Sequence, residues 1–138
     1  MDKSVRLEYL IDTNIISYLF NKHSYAKPYA SILGGKMSVI SFITLGESLA
    51  GAALGGWGLQ KQQRLEIALS EYTVLESNRL VAEHSATVTK FLRLEGRAHA
   101  ANDVWIAATA LAYGLPLVSH NRRDFEYIPG LELVSFAP

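Results

Sequence analysis

The chain reads as an α/β fold with a mainly parallel central sheet and helices on both faces. Three observations predict it. Short apolar or β-branched runs recur along the chain; longer stretches with helical spacing separate them; and cap and stop residues mark the junctions. Strands that alternate with helices favour right-handed parallel crossovers. The 138 residues suit one core, so a single domain over 1–138 is expected.

The elements follow in order. Leu7 to Ile11 is a first strand that ends at Asp12. Asn14 to Phe20 groups Ile15, Ile16, Leu19 and Phe20 on one side of a helix. Its apolar set, Tyr18 included, is wider than one core stripe needs; buried packing is expected for most of it, with some left for a second copy or a partner helix. Pro28 opens another helical piece that Gly34-Gly35 stops, and Met37 to Ser41 is the second strand. Thr44 is placed to cap a helix running through Glu47 to Leu54, closed by Gly55-Gly56-Trp57-Gly58. Gln60 to Tyr72 is helical and Thr73 to Leu75 a brief strand. Asn78 caps a long segment marked by Leu80, His84, Val88, Phe91 and Leu92. Asn102 is placed to cap Asp103 to Tyr113, with Gly114 in the C-terminal glycine position. Pro116 to Ser119 and Leu131 to Phe136 are the last strands.

Composition bounds the function. Lys+Arg and Asp+Glu are both 13, so the chain carries no excess charge for coating nucleic acid nonspecifically. Any polyanion must be held locally or through a bound cation. The absence of cysteine excludes disulfides, zinc–thiolate sites and thiol nucleophiles. No apolar run is long enough to span a bilayer. Met1 to Arg6 lacks a basic region followed by an apolar one, so the cytoplasm is the expected compartment.

Four acids stand where an α/β sheet builds its sites, beyond the carboxyl ends of the strands. Asp12 follows the first strand, Glu47 lies about one turn into the helix after the second, and Asp124 comes just past Leu117-Val118-Ser119. Asp103 arrives in the first turn of a helix, where the positive helix end favours an anion. Any one of them alone reads as a cap or a solvated surface residue. Together they form a repelling cluster that a divalent cation would relieve. An all-oxygen donor set, with no Cys and no paired His, favours Mg²⁺ or Mn²⁺ over Zn²⁺. One or two such ions could polarise a phosphodiester and activate a water. Arg122 and Arg123 beside Asp124 are candidates for phosphate contacts, and His120 in the same segment for a substrate contact. Arg97 and His99 stand ahead of the Asp103 helix, where they would border a substrate groove, and Trp57 either folds onto the core or offers a ring to a partner or base.

Four motifs then resemble those of the PIN-domain family, in order and over essentially the whole chain. They are Leu10-Ile11-Asp12-Thr13-Asn14-Ile15-Ile16, Ser41 to Gly51 around Glu47, Asn102 to Ala110 around Asp103, and Ser119-His120-Asn121-Arg122-Arg123-Asp124-Phe125. The small size is similar to that of the VapC toxins of this family. The resemblance implies a three-layer PIN-like fold and Mg²⁺- or Mn²⁺-dependent cleavage of RNA. It also implies a cognate VapB-type antitoxin and a homodimer. It places Asp12, Glu47, Asp103 and Asp124 on the family's acidic positions, with Thr13, Asn14, Ser119 and Asn121 in support. Ser119 stands where the family more often has Thr; the hydroxyl is kept.

Two other classes fit less well. A phosphotransfer enzyme with Asp12 as nucleophile would need a second acid two residues on, where Asn14 stands, or a late lysine, and none follows Lys90. A non-catalytic PIN-like module that binds RNA or protein has no reason to bear the repulsion of four acids.

Overall fold

In the computed structural model, residues 8–138 are described; Leu7, the expected start of the first strand, and Met1 to Arg6 lie outside them. The elements are β1 (Glu8–Ile11), α1 (Thr13–Asn21), α2 (Ala26–Leu33), β2 (Met37–Ser41), α3 (Phe42–Leu54), α4 (Leu59–Ser70), β3 (Thr73–Leu75), α5 (Arg79–Leu94), α6 (Ala101–Tyr113), β4 (Leu117–Val118), α7 (Arg122–Phe125) and β5 (Leu133–Val134). The strands form one five-stranded sheet in the order β3-β2-β1-β4-β5, and every pairing is parallel.

Side chains alternate across a strand, so one strand feeds two cores. Leu10, Val39, Leu75, Leu117 and Leu133 face the cluster that contains Val88, Leu92, Ile106, Ala107 and Phe125, built by α5, α6 and α7. Their neighbours Ile11, Ile40, Val74, Val118 and Val134 face the opposite cluster, with Ile15, Ile16, Tyr29, Leu33, Leu65 and Leu69 from α1, α2 and α4. The result is three layers. Right-handed crossovers account for the split: β1→β2→β3 runs one way across the sheet, and β3→β4→β5 runs back the other way with α5, α6 and α7 on the opposite face. The reversal opens a crevice between the carboxyl ends of β1 and β4.

Local chemistry shifts several expected boundaries. Ser41 caps α3, its Oγ accepting from the Thr44 N–H at 3.0 Å, so the expected cap at Thr44 moves three residues earlier. Thr44 instead lies fully buried inside the first turn. Asn102 is likewise inside its helix, which starts after Ala100. Asn78 caps α5 as expected, accepting from Val81 N–H at 3.0 Å. Gly114 ends α6 in the left-handed conformation at φ 66°, which glycine adopts without the strain that a Cβ brings. The strand expected over Leu131 to Phe136 pairs only at Leu133–Val134, because Arg122 Nη2 and Ser135 Oγ engage the tail beyond it through Ser135 O and Ala137 N. One helix had no sequence signal: α7, a single turn too short to show a hydrophobic period. Of the wide apolar set on α1, Ile15 and Ile16 are buried and Tyr18, Leu19 and Phe20 half-buried against the core. The most exposed aliphatics lie on α3, α4 and α5, at Leu54, Leu59, Ile67 and Leu94.

Candidate acidic site

The crevice between β1 and β4 is bridged by one short hydrogen bond. Asp12, the first residue after β1, accepts from Ser119, the first after β4, with Ser119 Oγ 2.6 Å from Asp12 Oδ2. Asp12 also caps α1, its Oδ1 accepting from the Thr13 N–H at 2.8 Å, and its own N–H donates to Val118 O. Only 4% of Asp12 is exposed. Burial pushes its carboxyl above the ordinary value, as do the charges of Glu47 and Asp124; the Ser119 and Thr13 hydrogen bonds pull the other way.

Asn14 ties this centre to the loop after β4. Its Nδ2 donates to Asp12 Oδ2 at 3.3 Å and its Oδ1 accepts from His120 N–H at 3.2 Å. Asn121 N–H donates to Ser119 Oγ at 3.0 Å, and the Asn121 amide donates to Asp124 Oδ2. The expected brace of the Asp124 segment is therefore Asn121, now at the N-terminus of α7 rather than in an open loop. Thr13 Oγ1 lies 2.7 Å from Glu47 Oε1 and 3.1 Å from the buried Thr44 hydroxyl. Asn102 Nδ2 donates to Glu47 Oε2 at 3.2 Å. Asn102 thus belongs to the site rather than to a cap, a role the sequence reading missed; its place one residue before Asp103 is the signal that could have found it.

Asp103 differs from the rest. It is half-buried, and its carboxyl is pushed up to about 6, first by burial and then by the charges of Asp12, Asp124 and Glu47. A hydrogen bond with Asp124 adds to the rise. The four acids therefore feel one another across the crevice. Among the described residues no lysine or arginine pairs with any of them; the donors are neutral hydroxyls, amides and one backbone N–H. Among the same residues, no three carboxylates or imidazoles converge tightly enough to enclose an ion as they stand. Asp12, Glu47 and Asp124 are turned toward Ser119, Thr13, Asn102 and Asn121 instead.

The remaining candidates divide. Arg122 is half-buried, and its Nη2 donates to Ser135 O at 3.0 Å, bracing the C-terminal segment. Arg123 is exposed and, with Asp124, Arg97 and Tyr127, lines a cavity of about 310 Å³. The Arg97 guanidinium lies 3.6 Å from the centre of the Tyr127 ring. His99 is exposed and His84 half-buried. His120 is half-buried, with Nδ1 2.6 Å from the hydroxyl of the fully buried Tyr29. That hydroxyl also accepts from Phe136 N–H at 2.9 Å, so one phenol ties His120 to the C-terminal segment. Trp57 folds back: its ring stacks on Phe20 at 5.6 Å and lies beneath Lys61.

A family model described as PIN domain matches residues 9–131. The chain belongs to the PIN-domain family. Among its relatives, Ribonuclease VapC1 of Haemophilus influenzae (strain R2866) is 32% identical over 127 residues, covering 90% of this chain and 94% of the relative. The tRNA(fMet)-specific endonuclease VapC of Shigella flexneri is 31% identical over 126 residues, covering 91% of this chain and 95% of the relative. The crystal structure of VapBC2 from Rickettsia felis, bound to a DNA fragment from the promoter, superposes with a TM-score of 0.83. It has 28% identity and covers 94% of this chain and 98% of that one. The three-layer parallel architecture expected of a PIN domain is the one observed. Among the described residues, no helix of this PIN domain is long and apolar enough to cross a membrane.

Proposed function

We propose that this PIN domain is a metal-dependent endoribonuclease, the toxin of a VapBC-type pair. One observation carries the reading: four carboxylates from separate segments border the β1/β4 crevice, Asp12, Glu47 and Asp124 held there by Ser119, Thr13, Asn102 and Asn121, and among the described residues no lysine or arginine pairs with any of the four. In this reading Asp12, Glu47, Asp103 and Asp124 hold one or two Mg²⁺ or Mn²⁺ ions. The donors fit such ions: all are hard oxygens, and Asp103 already carries an electrostatic penalty that a cation removes. A closed cage of side chains is not needed, since Mg²⁺ keeps several waters and takes few carboxylates plus substrate phosphate. When bound, the ion supplies Lewis-acid polarisation of the phosphodiester and a water acidified for attack.

The chain's own residues do the rest. Ser119, Asn14 and the Thr13 N–H fix the rotamer of Asp12, and Thr13 and Asn102 fix Glu47. Asn121 aims Asp124. Burial and the neighbouring charges that raise the Asp103 carboxyl to about 6 would be offset by a bound cation. Arg123 and Arg97 sit where phosphates flanking the scissile bond would lie. An RNA substrate is in keeping with the cytoplasm as its compartment. Close likeness to a relative named for tRNA(fMet) makes tRNA the first substrate class to test. Likeness to a VapBC complex supports a VapB-type antitoxin, and the exposed Leu54, Leu59 and Ile67 on α3 and α4 supply apolar surface for it or for a second copy in a homodimer.

The test is incubation of the purified protein with total RNA in Mn²⁺ or in EDTA, followed by sequencing of fragment ends, alongside melting with increasing Mn²⁺. Expected are discrete ends that vanish in EDTA. A rise in melting temperature equivalent to about 2.7 kcal/mol is expected at a hundredfold excess of ion over its Kd. A protein that neither cleaves nor gains stability is a binding module, and the ribonuclease reading fails.

A further inference from the structure

We infer that the rings at the turn between α1 and α2 form a stacking platform for an unpaired nucleobase of the RNA strand. This rests on the ribonuclease reading above and names how that site grips its substrate. The turn carries Lys22, His23, Ser24 and Tyr25, all exposed. Tyr25 is 45% exposed, yet its ring is not loose: its centre lies 4.4 Å from that of His120 and 5.2 Å from that of His23. His23 in turn stacks on Tyr18 at 4.6 Å with planes 25° apart, and its Nδ1 accepts from Tyr25 N–H at 3.1 Å. Beneath them, Tyr29 is fully buried and hydrogen-bonded to His120.

A ring cluster held this firmly outside the core has little left to gain from burial. Its rotamers are set in advance, so a base that lands on it loses less entropy to ordering. Nucleobases stack on such rings regardless of sequence, and only unpaired ones offer their faces. The platform is also wired to the acids. His120 N–H donates to Asn14, whose amide donates to Asp12, so a phosphate at the crevice sets its neighbouring base close to His120 and Tyr25. Exposed Lys22 and Lys27 add positive charge at this turn. On the other face of the sheet, Arg97 and Arg123 flank the same crevice, which gives a strand a continuous track. A protein partner suits this patch less, because it carries imidazoles and lysines, while the most exposed aliphatics, Leu54, Leu59 and Leu94, lie away from it on α3, α4 and α5.

Anisotropy of a short fluorescent oligoribonucleotide tests this, measured in EDTA on the Asp103→Asn protein so that the strand is not turned over. An abasic nucleotide is placed at each position in turn. The expected pattern is a loss of about tenfold in affinity when one position is abasic, and a similar loss with Tyr25→Ala. Tyr25→Ala should be indifferent to the abasic position, whereas Tyr25→Phe behaves as the parent. If Tyr25→Leu binds and discriminates like the parent, the platform is wrong. It is equally wrong if Tyr25→Ala leaves RNA binding intact while breaking a homodimer or antitoxin binding. RNA cleavage by the wild-type protein with no Tyr25 effect overturns the platform alone. Tyr25-dependent, abasic-sensitive binding without any cleavage keeps the platform and sinks the ribonuclease.

Discussion

The two sides of the acidic crevice are built differently. On the side of β1 and β4, Asp12 is enclosed and met by a hydroxyl, a backbone N–H and an amide. On the side of α6, Asp103 has burial and three like charges to contend with, and its carboxyl rises to about 6. Neutral donors can orient an anion without cancelling its charge. The first half of the site therefore offsets its share of the electrostatic cost with hydrogen bonds that fix geometry, and the second bears that cost without such an offset, a cost that a divalent ion removes.

That contrast makes the same chemical change act differently on the two acids. Asp12→Asn should abolish cleavage and also cost about 1–3 kcal/mol of metal-free stability, because Ser119 and Asn14 then face a donor where they had an acceptor. Activity assays and denaturant melts report both; an undiminished melt would mean that the hydrogen bonds around Asp12 are worth nothing net. Asp103→Asn should also abolish cleavage, yet leave metal-free stability equal or higher. A destabilised Asp103→Asn protein would remove the argument for stored repulsion.

A smaller effect follows in pH. The folded Asp103 carboxyl titrates at about 6, above the unfolded value near 3.9, so between these pH values the folded state binds more protons than the unfolded one. The metal-free protein therefore loses stability as pH rises from about 4 to about 6 and levels off above. Asp12, shifted in the same direction, adds to the slope. Melts of wild type and Asp103→Asn across this window should converge at its upper end only if Asp103 is not the group responsible. The smallest effect belongs to Asn102→Ala, which removes one donor from Glu47 and should lower kcat/KM by roughly tenfold, about 1.4 kcal/mol, with no change in fold.

Sequence alone conveyed the framework and the acids well, for reasons visible in particular residues. Strands buried on both faces leave compact apolar runs such as Leu10-Ile11 and Leu117-Val118, and an acid directly after such a run lies at the sheet's carboxyl edge. Caps were harder. Ser41 and Thr44 are both good capping residues, and the extended backbone at Ser41 decided between them. Asn102 looks like a cap until Glu47, far away in the chain, claims its amide. The ring cluster left no trace in the sequence, because Tyr25, Tyr29 and His120 meet only through tertiary packing.

The seam that joins the chain's tail to Tyr29 bears on how this protein should be handled. Phe136 N–H rests on the Tyr29 hydroxyl and Arg122 grips Ser135, so the last residues support His120 from behind. A purification handle fused after Pro138 would emerge next to this seam, and cutting the chain after Val134 would leave a buried phenol short of one partner.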